Sequence, residues 1–223
     1  MGTFEAFYAS PLQHPWLLWL AAVAAIAFCL SRSDLQPSLR RYCVALGVLS
    51  LADAWLSAHH VYGIGTLSGV AASTVPLFFV LAGDFRFLLL LAAGSADGRF
   101  VLRARPVAVA LALTCVVPLG SQAVVALLPG EPGSRVLYLV YEVLFFALTL
   151  ALIALHPGPK RAPWLRTVSR FVLLYYGLWA SADALLLVTG ADAGFALRAV
   201  PNLLYYGGLI AVIAWAGSRA APR

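Results

Sequence analysis

The chain has 223 residues, 62% of them hydrophobic and only 11% charged, with a mean hydropathy of +0.90. No water-soluble domain of that length can hide so much apolar surface, so the composition excludes an ordinary soluble enzyme and points to a chain solvated by lipid. The net charge of +6 invites a nucleic-acid reading, but the arginines lie in short loops, where they meet anionic headgroups and set topology.

Apolar stretches run at about residues 15–31, 42–62, 68–94, 106–128, 136–155, 168–189 and 195–217. Each is near or above the ~20 residues an α-helix needs to cross a ~30 Å hydrocarbon layer. Helices are expected because lipid cannot satisfy backbone donors and acceptors, and the ~10-residue alternation of a β-barrel is missing. The first stretch has no basic region before it and no clear cleavage site after it, so it reads as a retained helix. The fold class expected is therefore an all-α integral membrane protein of seven transmembrane helices in a single domain spanning 1–223.

Loop charge gives the orientation. Arg32, Arg40 and Arg41 follow helix 1; Arg99, Arg103 and Arg105 follow helix 3; Lys160, Arg161, Arg166 and Arg170 follow helix 5; Arg219 and Arg223 end the chain. The opposite side carries only Arg135 and Arg198, and Arg86 lies inside helix 3. The positive-inside rule then puts the N-terminus outside and the C-terminus in the cytoplasm, as an odd number of spans requires. The expected location is the inner (plasma) membrane, as a multi-pass protein.

The chain also resembles itself. LSLADAWLS (49–57) matches LWASADALLL (178–187), each with an Asp-Ala inside an apolar run. VPLFFVLAG (75–83) then matches VPNLLYYGG (200–208), with Val-Pro and the last Gly in register. Helices 1–3 (about 15–94) and 5–7 (about 136–217) thus read as parallel repeats, with helix 4 (about 106–128) as the inverting linker. Such repeats occur in transporters, so architecture alone does not choose between transport and catalysis.

Four acids fall inside the expected spans: Asp53, Asp84, Glu142 and Asp183. A charged carboxylate at mid-bilayer costs roughly 2.5–3.5 kcal/mol, so such residues face the bundle interior and are functional candidates. Asp53 falls near the middle of helix 2, and Asp183 and Glu142 fall in the outer thirds of their helices, so all three are expected to line one cavity open to the outside. Helical spacing gives each acid polar company. Ser50, Asp53, Ser57 and His60 make one stripe; Tyr176, Trp179 and Asp183 another; Tyr138, Glu142 and Thr149 a third; Asn202 and Tyr205 a fourth. Asp84 lies deeper, two residues from Arg86, and reads as structural or topological.

Other chemistry is poorly represented. Cys29, Cys43 and Cys115 have no metal-ligand spacing and read as small apolar fillers. The histidines, His14, His59, His60 and His156, lie at helix ends and do not supply the three convergent ligands of a zinc hydrolase. Lys160 is the only lysine and lies in a loop, which excludes a retinal Schiff base. There is no GxSxG, HExxH or Walker loop. No metal or cofactor is expected.

ASADALLL (180–187) followed by LLYYGGLIAVIAWA (203–216) resembles the last two helices of YhhN-type lysoplasmalogenases, in which a Ser-Asp helix precedes a helix bearing a Tyr-Tyr pair. LSLADAWLS (49–57) is similar to the Gly-Asp helix of that family. Departures include Thr74 to Pro76, where the family has a His, and Gly207, Gly208 and Leu209, where a Gln commonly follows the tyrosines. The resemblance implies hydrolysis of the vinyl-ether bond of a lysophospholipid, with Asp53 and Asp183 at the positions of the family's two acids and Tyr205 and Tyr206 lining the lipid cavity. From the residues themselves, paired carboxylates in a low-dielectric cavity suit acid-base work, whether vinyl-ether hydrolysis or protonation of an isoprenoid alkene in a cyclase. The same pair suits a proton-coupled small-solute transporter of three-plus-one-plus-three helix architecture. The expected catalytic residues are Asp53, Asp183 and Glu142, and the substrate-binding residues Ser50, Ser57, Tyr176, Trp179, Asn202, Tyr205 and Tyr206. The expected partners are membrane lipids and an amphiphilic substrate, with a homo-oligomer left open.

Overall fold

A computed structural model describes residues 2–57, 70–130 and 133–220. Among them the chain is helical throughout, with a single isolated bridge between Gly94 and Phe100 in place of any strand. The helices are α1 (Thr3–Tyr8), α2 (Leu12–Ser31), α3 (Pro37–Ser57), α4 (Val70–Ala93), α5 (Ala104–Ala126), α6 (Ser134–Leu155), α7 (Pro157–Arg161), α8 (Pro163–Thr189) and α9 (Ala193–Ser218). Five of these, α2, α5, α6, α8 and α9, are long and apolar enough to cross a membrane. Every apolar stretch of the sequence carries a long helix, and α1 and α7 are additional short ones.

The seven long helices close a ring. Each packs on the next in chain order, and α9 packs back on α2 and α3. The ring buries its polar side chains within a largely apolar core and turns aliphatic side chains outward. Ser50, Asp53, Asp84, Arg86, Glu142, Thr149 and Asp183 are buried, whereas Leu20, Leu111, Leu119 and Val188 are exposed. In water that distribution would leave large aliphatic patches unpaid; in hydrocarbon it is the low-energy arrangement, because the polar groups satisfy one another and the aliphatic groups meet lipid tails. The chain is an all-α membrane protein.

Local breaks in the helices shape the interior. In α2 the backbone leaves helical geometry at His14 (φ −138°, ψ 107°), which turns the chain from α1 into the span. In α9, Pro201 cannot donate to a carbonyl one turn earlier, and a π-helical turn follows at Leu204–Gly208. The π-helical turn carries two consecutive tyrosines, Tyr205 and Tyr206, both buried. Gly207 in the same turn presses against α2: a Cβ there would lie 2.5 Å from the backbone oxygen of Ala21. At the other end of the bundle, His156 ends α6 and accepts a hydrogen bond at Nδ1 from the Gly158 N–H (3.0 Å) at the start of α7.

Two outcomes follow from these contacts. Gly207→Ala forces α2 and α9 apart and is expected to lower stability by about 1–3 kcal/mol, read as thermal unfolding in detergent. Gly120→Ala, whose Cβ would meet only a Leu144 methyl group at 3.4 Å, is the control and leaves stability nearly unchanged. Burial holds the His156 imidazole below its ordinary value, so the unfolded chain binds the proton more readily than the folded one. The α6–α7 junction is therefore stable above the ordinary histidine range and loosens as pH falls through it, which amide exchange at Gly158 measures.

Candidate active site

A cavity of about 570 Å³ opens among α2, α3, α4, α6, α8 and α9. Its walls are mostly aromatic: Phe79 from α4, Tyr138 and Tyr141 from α6, Tyr176 and Trp179 from α8, and Tyr205 and Tyr206 from α9. Two carboxyl groups line it, Asp53 from α3 and Glu142 from α6, along with Arg198 and Asn202 of α9. The N-terminal segment contributes Tyr8, Gln13 and His14.

At the end where α6 and α9 begin, the charges form one cluster. Asp183 of α8, fully buried, is paired with Arg135 (2.9 Å) and more closely with Arg198. Glu142 shares Arg198 only at 3.8 Å, and its Oε2 is buried without a hydrogen-bond partner. The guanidinium of Arg198 also donates from Nε to the Tyr8 hydroxyl (3.2 Å), which Asn202 reaches at 3.4 Å. Trp179 Nε1 donates to Asn202 Oδ1 (2.9 Å). Asp192, in the turn after Gly190 (φ 65°), accepts the Phe4 and Glu5 N–H groups at 2.9 and 2.8 Å. This carboxylate caps α1 from across the bundle, satisfying first-turn donors that α1 itself cannot, and α1 thereby stays beside the cavity.

A second cluster lies deeper. Asp84 is 1% exposed and accepts hydrogen bonds from the hydroxyls of both Tyr141 and Tyr176. Arg86 does not snorkel out. It is 3% exposed, donates to Ser50 Oγ and to the Tyr205 carbonyl (3.0 Å each), and lies 3.9 Å above the Tyr205 ring. The Tyr42 hydroxyl donates to its carbonyl. Asp53 is close enough to Arg86, Tyr205 and Tyr206 to interact electrostatically with each. Gly83 makes room for this arrangement, since a Cβ there would strike the Tyr205 hydroxyl.

The structure thus brings together Asp53, Glu142, Tyr176, Trp179, Asn202, Tyr205 and Tyr206 around one cavity. Asp183 stands apart from it, locked between two arginines of α6 and α9, and Ser50 serves Arg86 rather than the cavity wall. The Ser57 side chain, and His59 and His60, lie outside the described residues. Sequence reasoning did not single out Tyr8, Gln13, Tyr141 or Arg198 for the site. Tyr141 was within reach, because Tyr138, Tyr141 and Glu142 share one helical face at i, i+3, i+4. Arg198 was read as an outer-side charge, and its role rests on the turn into the bundle that α9 makes.

No family model, curated protein or solved structure matches the chain.

Breaking the Asp183 cluster tests whether it is structural. Asp183→Asn leaves Arg135 and Arg198 facing each other without their shared anion and is expected to cost about 3–5 kcal/mol of stability, measured by denaturant unfolding in micelles. An unchanged unfolding midpoint would mean that Asp183 is not a tie between α6, α8 and α9.

Proposed function

We propose that this chain is a seven-span enzyme of the inner membrane that cleaves the vinyl-ether bond of a lysophospholipid by acid catalysis. In this reading α3 and α4 also cross the bilayer, the two halves are parallel repeats, and the cavity opens to the outer face. One observation carries the chemistry. Four buried carboxyls, Asp53, Asp84, Glu142 and Asp183, meet three arginines, Arg86, Arg135 and Arg198. Asp183 takes two of those arginines and Asp53 faces the third, while tyrosines serve Asp84. Glu142 and Asp183 each keep one buried carboxyl oxygen without a hydrogen-bond partner, but only Glu142 lines the cavity, and its contact to a guanidinium is long, 3.8 Å to Arg198. An unbalanced carboxyl in a lipid-surrounded cavity is the group suited to carry a proton.

The reaction uses both cavity acids. Glu142 gives its proton to the alkene carbon remote from the ether oxygen; the C=C electron pair forms the new C–H bond, and the oxygen lone pair forms the C=O⁺ bond of an oxocarbenium ion. Asp53 takes a proton from water as the water oxygen adds to the oxocarbenium carbon, the one bonded to the ether oxygen, giving a hemiacetal. The hemiacetal then collapses: its hydroxyl proton passes to Glu142, the C–O bond to the glycerol oxygen breaks, and Asp53 returns its proton to that oxygen. The products are a fatty aldehyde and a glycerophosphodiester, and both acids are reset. The aromatic walls suit the alkyl chain, and the resemblance of 180–187 and 203–216 to YhhN-type lysoplasmalogenases agrees with this choice of substrate.

The test is aldehyde release from lysoplasmalogen by the purified protein in detergent, with no gradient imposed. Glu142→Gln and Asp53→Asn are each expected to lower kcat by about 10²–10⁴-fold, and the saturated alkyl-ether analogue is expected to survive. Absence of turnover together with solute uptake into sealed vesicles would identify a carrier instead.

A further inference from the structure

The enzyme reading leaves one buried group unused. Asp84 does not line the cavity, yet the two tyrosines that donate to it do: Tyr141 from α6 and Tyr176 from α8. A hydroxyl has one hydrogen to donate and lone pairs to accept with. Because both tyrosines spend that hydrogen on Asp84, what their oxygens offer the cavity is acceptor capacity only. Trp179 is in the same position, its N–H being committed to Asn202. The ring faces add to the effect, since each carries the negative face of an aromatic quadrupole. That such a face holds positive charge in this bundle is visible at Tyr205, where the Arg86 guanidinium lies 3.9 Å from the ring centroid. Donors toward the cavity are offered by Gln13, Asn202, Arg198 and the hydroxyls of Tyr8 and Tyr138, at the end where α1 packs and α6 and α9 begin.

We propose that Asp84 is a positioning residue: it turns the Tyr141 and Tyr176 hydroxyls away from the cavity, leaving a wall of oxygen lone pairs and ring faces that selects for positive charge. The deduction rests on the enzyme reading for its purpose, which is to stabilise the oxocarbenium ion. It assigns the cavity a ligand class by itself, namely single-chain amphiphiles bearing a cation.

The experiment compares two probes of equal chain length, dodecyltrimethylammonium and dodecanol, binding to the full chain in nonionic detergent and read by quenching of tryptophan fluorescence. Wild type is expected to prefer the cation by about tenfold. Asp84→Asn, which puts an NH2 group that cannot accept in place of one of the two oxygens the tyrosines donate to, is expected to lose most of that preference with dodecanol affinity unchanged. Tyr141→Phe and Tyr176→Phe each lower it in part. Both phenylalanine changes added to Asp84→Asn lower it no further, because the three act as one unit. Should Asp84→Asn fail to fold, the two tyrosine variants decide alone. Equal affinity of wild type for both probes, or full preference retained in Asp84→Asn or in both tyrosine variants, overturns the inference. Aldehyde release is measured in parallel: turnover with the cation preference missing sinks the positioning role and keeps the enzyme, whereas preference without turnover does the reverse.

Discussion

A carboxyl group surrounded by hydrocarbon has no water to hydrate it, and whatever satisfies it must come from the protein. The interior of this bundle is organised by that constraint. Each buried acid draws partners from other helices: Asp183 from α6 and α9, Asp84 from α6 and α8, and Asp53 from α4 and α9. Because apolar side chains gain little by leaving lipid for a protein interior of similar polarity, these polar ties supply direction that hydrophobic burial cannot. They settle which faces of the helices turn inward and therefore where the cavity lies.

The same ties divide the acids by role. Asp183 is held through Oδ1 by two guanidinium groups and does not line the cavity, which is the arrangement of a strut. Glu142 stands next to it, under the same arginine, but at 3.8 Å, with one buried oxygen left without a hydrogen-bond partner and the residue on the cavity wall. The difference is one of helix position rather than residue type. Arg198 lies on α9, which packs directly on α8, and it contacts the aspartate on α8 more closely than the glutamate on α6. Backbone features set the finer geometry. The π-helical turn at Leu204–Gly208 carries two buried tyrosines, Gly83 admits the Tyr205 ring beside α4, and Asp192 holds α1 at the cavity from 188 positions away in the chain.

Much of this was legible in the sequence. Apolar runs of about 20 residues announce membrane helices, and all seven carry long helices with ends within a few residues of the expected ones wherever those ends are described. The acids Asp53 and Glu142, Asn202, and the aromatic residues at helical spacing, Tyr176, Trp179 and Tyr205, could be picked out because polar residues in apolar helices must face inward. Tyr206 entered through the resemblance to lysoplasmalogenases rather than through spacing. The short helices α1 and α7 went unread: six and five residues are too few for a periodic signal, and α1 depends on a cap from Asp192 that no local pattern announces.

The one-dimensional chain therefore specifies the solvent, the all-helical class and a set of inward polar positions, since each follows from the free energy of moving one side chain or one segment into hydrocarbon, while five of the seven long helices are long and apolar enough to cross a membrane. Which carboxyl meets which arginine is a matter of helix rotation, crossing and depth among elements far apart in sequence. Spacing along a single helix carries no information about the opposite wall. Asp53 and Asp183 look alike in their own helices, and only the approach of Arg135 and Arg198 to one of them makes that aspartate a tie while the other faces the cavity.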